Sequence, residues 1–189
     1  MLTSSKIDFE RASLQSRISR KLSRILVLAA SISAILIGQE CSAISQALAQ
    51  EVQLIWTPEY PPNRVPTGDV YFRKTIQLSN IEQANISIAS EDGFQLFING
   101  RPFGGNQQNL EQADITRMLV KGRNVVAIKA ENRVGSTASL AVHLQIKQAN
   151  QNWRLIPSDA SWKTAIDATP NWQALTFNDG RWSAARLIA

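Results

Sequence analysis

Side chains that could perform acid–base or nucleophilic chemistry are few in this sequence, and their spacing does not suit catalysis. A catalytic site needs a positioned acid and base, or a nucleophile beside a base. His143 is the single histidine, and alternation places it mid-strand beside Gln145 and Lys147, which predicts a solvated residue on a polar sheet face. Glu91 and Asp92 are adjacent on a tight turn, where carboxylates diverge rather than converge on one bond. The sequence therefore predicts no catalytic residues and no enzyme.

Metal-binding patterns are also weak. A single Cys excludes a disulfide framework and a Cys-based zinc site, and a single His weakens most other metal sites. The acidic residues Asp159, Asp167 and Asp179 are scattered, without the spaced Asp/Asn loop of a calcium site. We predict no metal site and no cofactor, with a structural calcium ion left open as the alternative.

The positive charge of the chain is concentrated at its front. The 189 residues carry a formal net charge of +5, from 20 basic and 15 acidic residues. Residues 1–49 contain six of the basic and three of the acidic residues, so residues 50–189 keep a net charge of only +2. Because nucleic-acid binding needs a basic patch on the folded part, the sequence predicts no nucleic-acid partner.

An apolar run at residues 25–38 follows a basic leader and precedes Ala47-Leu48-Ala49, an A-x-A cleavage pattern. This order is typical of a secretory signal peptide. The uncharged stretch is 15 residues long, whereas a spanning helix needs roughly 20. We therefore interpret residues 1–49 as a signal peptide, with an uncleaved membrane anchor as the alternative, and residues 50–189 as one domain. The expected location is secreted, periplasmic or associated with the cell envelope.

From residue 51 onward the apolar residues recur with a period of two, which predicts half-buried β-strands. The predicted strands are residues 70–78, 85–90, 94–99, 124–131 and 139–147. Gly and Asn, which tolerate the positive φ of tight turns, occur at Asp92-Gly93, Asn99-Gly100, Gly104-Gly105 and Lys121-Gly122. Short strands separated by such turns indicate an antiparallel β-sandwich.

Three other segments of the body are predicted separately. Residues 110–119 are predicted to be helical, with a single turn at residues 114–119. Residues 104–109 are rich in amides and glycine and are predicted to form a flexible polar loop. The tail, residues 152–189, combines Trp residues with weak periodicity, which is typical of a segment that wraps a sandwich and closes it.

Several motifs occur in a fixed order between residues 54 and 187. They are Ile55-Trp56-Thr57-Pro58, residues 70–75, residues 86–100 ending in Asn-Gly, Asp114-Ile115-Thr116, residues 119–132 with a Gly-Arg-Asn turn, residues 158–163, Trp172, and residues 177–182. This order resembles the galactose-binding-like jelly-roll modules attached to glycoside hydrolases, notably α-L-rhamnosidases and β-galactosidase relatives. The resemblance implies an all-β, antiparallel jelly-roll β-sandwich with one short helical turn, preceded by the N-terminal signal segment.

Modules of this kind bind sugars in some proteins and brace a neighbouring domain in others, so the fold does not decide the role. Sugar binding needs an aromatic ring against the apolar face of a pyranose and planar polar groups for its hydroxyls. Trp56, Trp162 and Trp182 lie in framework motifs and are predicted to be core. Trp153 and Trp172 are less constrained.

The candidate carbohydrate-binding residues combine aromatic, amide and guanidinium groups. They are Tyr71, Arg73, Asn106, Gln107, Asn109, Asn132, Arg133 and Trp172. Their grouping depends on the expectation that they edge the same end or face of the sandwich. A plain solvated loop at residues 104–109 is the alternative.

These observations favour an exported, non-catalytic module that binds an envelope or extracellular polysaccharide. The alternative is a structural or protein-interaction β-sandwich that braces a separately encoded envelope protein or glycoside hydrolase. An exposed Trp or Tyr beside convergent Asn, Gln and Arg would favour sugar. A contiguous exposed apolar patch would favour a protein partner.

Overall fold

Ten β-strands and one 3₁₀ turn form the regular structure of residues 52–188, which the computed structural model describes apart from the side chains of residues 105–108. In chain order they are β1 (Ile55–Trp56), β2 (Gly68–Leu78), β3 (Ile81–Ile98), β4 (Arg101–Asp114), the 3₁₀ turn (Thr116–Met118), β5 (Gly122–Asn132), β6 (Leu140–Gln148), β7 (Trp153–Pro157), β8 (Lys163–Ala165), β9 (Ser183–Ala184) and β10 (Arg186–Leu187). The predicted signal segment, residues 1–49, lies outside the described residues.

The long strand β3 is shared by the two layers of the sandwich. Residues 81–90 pair with β6, and residues 93–98 pair with β5. Along its other edge, β3 pairs with β4. Strands β7, β1 and β10 continue the sheet beyond β6, while β2, β8 and β9 continue it beyond β5. All of these pairs are antiparallel, so the predicted antiparallel β-sandwich is confirmed.

Alternation along the strands separates an inward apolar row from an outward row. In β6 the inward side chains are the fully buried Leu140, Val142, Leu144 and Ile146. Alternate residues of β2, β3 and β5 are buried in the same way, and they pack with the inward residues of β6 in one core cluster. Burial of each large aliphatic side chain contributes about 1.5–3 kcal/mol. A register slip of one residue would exchange the two rows, so this core also fixes the outward row.

The β3–β4 hairpin closes with the turn that the sequence predicts at Asn99-Gly100. Both residues have positive φ, at 53° and 82°, and Ile98 pairs with Arg101 across them. The Asn99 side chain also accepts a hydrogen bond from the Val125 amide at 2.8 Å. Asparagine therefore tolerates the backbone conformation and ties the turn to β5.

Three local predictions are wrong, for one physical reason. Asp92-Gly93 is not a turn, because β3 continues through it and only changes its partner from β6 to β5 there. Residues 104–109 belong to β4, not to a loop, although the pairing with β3 has register shifts nearby. Residues 110–114 are also strand, which leaves a 3₁₀ turn at residues 116–118 as the helical part. In each case long-range strand pairing overrides local propensity.

The segment between β8 and β9 covers part of the outer face formed by β2, β5 and β3. Trp172, Leu175, Phe177 and Trp182 pack there against Val125 and other outward side chains, in a second cluster separate from the main core. Trp56 and Trp162 are fully buried in the main core, as predicted. Trp182 is half-buried in the second cluster, so it packs on the outside of the sheet. The predicted wrapping role of the tail is confirmed.

Candidate functional site

The outer face of β2, β5 and β3 is covered by the tail at one end and uncovered at the end near Gly68 and Asn132. Tyr71 of β2 lies at this boundary and is half-buried. Its ring meets that of Trp172 edge to face, with centroids 4.9 Å apart. Trp172 in turn stacks on Trp182 and contacts Phe97. A partly exposed aromatic ring is thus held rigidly by a buried aromatic cluster.

Four charged side chains form a row at this end of the face, which we call the charge ladder: Asp69, Lys129, Glu131 and Arg133. The side chains of Asp69 and Arg133 are 40% and 53% exposed, whereas those of Lys129 and Glu131 are 22% and 11% exposed. The Lys129 Nζ lies 3.2 Å from Asp69 Oδ2 and 3.4 Å from Glu131 Oε1. The Arg133 Nε donates to Glu131 Oε2 at 2.8 Å. Strand register places Lys129 directly across from Tyr71. The ladder therefore begins beside the aromatic ring.

The pKa values of Tyr71 and Lys129 are both raised at this site. Burial raises the pKa of the Tyr71 phenol, and the nearby charge of Asp69 raises it further. Burial alone would lower the pKa of Lys129, but its hydrogen bond with Asp69 and the charges of Asp69 and Glu131 outweigh burial and raise it. The site at neutral pH therefore has a neutral phenol, which can donate and accept, beside an ammonium group.

Arg73 is one of the predicted residues, and its side chain is fully buried beneath the tail. Its Nε donates to Asp179 Oδ2 at 2.9 Å, and its Nη1 donates to the carbonyl oxygens of Trp172 and Ala174. Its guanidinium also lies over the ring of Phe177, 5.0 Å from the centroid. Arg73 attaches the tail to the sheet and presents no surface to a ligand in this conformation.

Asn132 and Trp172 also lie inside the structure. The Asn132 Nδ2 donates to the carbonyl oxygens of Val65 and Pro66, at 3.3 and 2.8 Å, and the residue is 2% exposed. Trp172 is 9% exposed and braces Tyr71, while Trp153 on β7 is 45% exposed. Of the two tryptophans that the sequence left less constrained, the exposed one is therefore Trp153. It lies on β7, which pairs with β6 in the layer opposite Tyr71.

The remaining predicted residues lie at the surface. Arg133 has a side chain 53% exposed and forms the end of the ladder. Asn109 is exposed on β4 opposite Ala89. Residues 106 and 107 also lie in β4, where residue 107 pairs with Phe94, and their side chains are outside the described part. Three strand spacings, about 14 Å, separate this part of β4 from β2. Tyr71, Arg133 and residues 106–107 therefore belong to the same sheet, but residues 106–107 lie three strands away from Tyr71.

Sequence reasoning missed Asp69, Lys129 and Glu131, which surround Tyr71. The signal was available in the alternation of β5, because Lys129 and Glu131 share parity with the outward Ala127. Opposite charges at positions i and i+2 of a strand lie on the same face, where they can pair.

His143 is not solvated, so that prediction is wrong. It has the outward parity expected, but it is 7% exposed. Strands flank it on both sides, with Ser87 and Pro157 as its cross-strand neighbours. Burial lowers the pKa of its imidazole, because the charged form loses its hydration.

No group of three or more His, Cys, Asp or Glu side chains within residues 52–188 could hold a metal ion. Within the same range, no helix is long and apolar enough to cross a membrane.

The strand order and the shared β3 define an antiparallel β-sandwich. The solved structures that it resembles fit a galactose-binding-like domain. The chain is similar to an α-L-rhamnosidase from Streptomyces avermitilis, solved with L-rhamnose, at 26% identity and a TM-score of 0.65 over 72% of this chain and 14% of that chain. A Pleurotus ostreatus lectin, solved with GalNAc, is 28% identical at a TM-score of 0.62, over 72% of this chain and 42% of the lectin.

A third structure, an α-L-rhamnosidase from Dictyoglumus thermophilum, has the same fold at 19% identity and a TM-score of 0.64, over 74% of this chain and 21% of that chain. The chain thus corresponds to less than half the length of each of these proteins. No family model matches the sequence, and no curated protein matches it.

Proposed function

We propose that this protein is an exported, non-catalytic module that binds a carbohydrate of the cell envelope or of an extracellular polysaccharide. Tyr71 and the charge ladder form the binding surface. The observation that carries the proposal is the rigidly held, half-buried Tyr71 ring beside convergent donors and acceptors. The likeness to a lectin solved with GalNAc and to an α-L-rhamnosidase solved with L-rhamnose supports it.

The chemistry of the surface fits a pyranose. An aromatic ring packs against the apolar face of a sugar, and charged or planar polar groups beside it bond the hydroxyls. Asp69 and Glu131 offer carboxylate acceptors, Lys129 offers ammonium donors, and Tyr71 offers a phenol that does both. Because Trp172 fixes the Tyr71 ring from behind, little conformational entropy would be lost on binding.

The direct test is a glycan array and a polysaccharide pull-down with the purified protein. Saturable binding is expected, and Tyr71→Ala should abolish it because the aromatic platform is lost. Tyr71→Phe keeps the ring and should weaken binding by roughly three- to tenfold, the value of one hydrogen bond. Trp153→Ala is the matched control, since it removes an exposed aromatic ring from the other layer and should leave binding intact. Binding that survives Tyr71→Ala would contradict the assignment of the site.

Export is tested separately. The protein recovered from the extracellular or periplasmic fraction should begin at Gln50, as read by N-terminal sequencing. A protein that keeps residues 1–49 and fractionates with membranes would support the uncleaved anchor instead.

The bracing role is the second hypothesis, and the surface gives it less support. The large apolar residues that are exposed within residues 52–188 are Val120, Val134, Trp153 and Leu187. They lie on separate segments, and Val120 and Val134 flank opposite ends of β5. A protein interface has a contiguous apolar centre. Crosslinking to an envelope protein without any glycan binding would favour bracing.

A further inference from the structure

Carboxylates outnumber cations around Tyr71 and the charge ladder. Asp69 and Glu131 lie in the ladder, and Asp92 Oδ2 accepts the backbone N–H groups of residues 133 and 134 at its rim. The exposed Asp167 is close enough for its charge to act on the Tyr71 phenol. The cations beside these four carboxylates are Lys129 and Arg133. Lys163 on β8 lies further along the face and donates to the Trp182 carbonyl.

Both cations of the ladder are already paired with carboxylates of the protein. Lys129 contacts Asp69 and Glu131, and the Arg133 guanidinium bonds Glu131 through Nε and Nη2. An anionic ligand would have to displace one of these carboxylates and would then face the others. Such like-charge contacts disfavour binding even at the high effective dielectric of a protein surface.

Sugar hydroxyls meet no such penalty. Each hydroxyl donates one hydrogen bond and accepts others, so it can bond a carboxylate and an ammonium group at the same time. Neighbouring hydroxyls of a pyranose ring are about one hydrogen-bond length apart. The Lys129 Nζ and Asp69 Oδ2 are 3.2 Å apart, so a pair of neighbouring hydroxyls matches them in both spacing and polarity.

We propose that the charge ladder makes this site selective for neutral pyranoses and unfavourable to uronic acids. The inference rests on the proposed function and names its ligand class. Glu131 is the residue expected to affect the selectivity most, because it is the carboxylate that contacts both cations of the ladder.

The experiment compares sugars that differ by one carboxylate: galactose with galacturonic acid, and glucose with glucuronic acid, each immobilised on the same array. The neutral member of each pair should bind about tenfold more tightly at roughly 0.05 M salt, and the ratio should shrink at about 0.5 M salt as the charges are screened. Glu131→Gln should reduce the ratio at least threefold, because it removes the carboxylate partner of Arg133 and leaves Lys129 paired with Asp69 alone. Glu82→Gln is the matched control: Glu82 pairs with Lys147 at 2.9 Å away from the ladder, and its loss should leave the ratio unchanged.

The outcomes separate the two claims. Uronic acids that bind as tightly as their neutral counterparts, or more tightly, overturn the selectivity while the carbohydrate-binding role stands. An unchanged ratio in Glu131→Gln overturns the role of the ladder. Failure of every sugar and polysaccharide to bind the wild-type protein overturns the proposed function, and the selectivity with it.

Discussion

Replacing Arg73 with methionine should destabilise the whole domain, because Arg73 attaches the tail to the sheet. Methionine fills a similar volume with apolar atoms but donates no hydrogen bonds. The substitution would leave the Asp179 carboxylate without its 2.9 Å partner and the carbonyl oxygen of Trp172 without its donor. Because Arg73 is fully buried, water cannot take its place unless the tail moves.

The size of the effect follows from these contacts. Removing one member of a buried ion pair costs about 3–5 kcal/mol. The Asp179 side chain is 20% exposed and regains some hydration, which lowers the cost, while the carbonyl that loses its donor raises it by about 1–3 kcal/mol. These effects are not additive, and we expect a loss of about 4 kcal/mol, or about 10–15 °C in Tm for a domain of this size.

Urea unfolding of the purified protein, followed by tryptophan fluorescence and far-UV circular dichroism, measures this loss. Arg181→Met is the matched control, because Arg181 is an exposed arginine in the same segment and should change stability by less than about 0.5 kcal/mol. Asp179→Asn keeps an acceptor for Arg73 and should cost about 1–2 kcal/mol. If Arg73→Met and Arg181→Met had equal, small effects, Arg73 would not hold the tail and the reasoning would be refuted.

Three further predictions concern stability. Trp172→Ala should cost about 3–5 kcal/mol, because Trp172 fills the second cluster, whereas Trp153→Ala should cost less than about 1 kcal/mol; equal losses in thermal unfolding would contradict this difference in burial. Because the folded-state pKa of His143 is lowered, its contribution to stability is complete above the unfolded value near 6.5 and is lost as the pH falls through the folded value. Urea midpoints should therefore drop between pH 7 and 5.5 in the wild type but not in His143→Gln. Asn99→Gly keeps the positive φ but loses the side-chain bonds to the Val125 amide, the Met118 carbonyl oxygen and Asn124 Oδ1, so it should cost about 2–4 kcal/mol in urea unfolding.

Alternation made most of the fold predictable from the sequence. In β6 the inward and outward residues could be assigned from the sequence, because one face is apolar and a slip would expose it. The continuation of β3 through residues 91–93, where its pairing partner changes from β6 to β5, could not be predicted, since Asp92-Gly93 has the local pattern of a turn. Only the pairing of residues 93–98 with β5, which is distant in sequence, keeps the chain extended there.

The site was less predictable than the fold. Tyr71 and Arg133 were among the candidates predicted from the sequence and lie at the proposed site. Arg73 shares the outward parity of Tyr71 but is buried, because the tail covers one end of that face and not the other. Periodicity reports which face a residue is on but not what lies above that face. The extent of the tail is decided by packing of Trp172 and Phe177 that no local pattern encodes.

The pairing of β1 with β10 has a mechanical consequence. Ile55 pairs with Leu187 in antiparallel register, and the Ile188 amide donates to the Leu54 carbonyl at 2.8 Å, so the two ends of the described chain lie side by side. A pulling force applied between residues 52 and 188 would load these hydrogen bonds one at a time, which is unzipping rather than shear. The domain should therefore begin to yield at low force, with β10 peeling from β1 before the shared strand β3 carries any load.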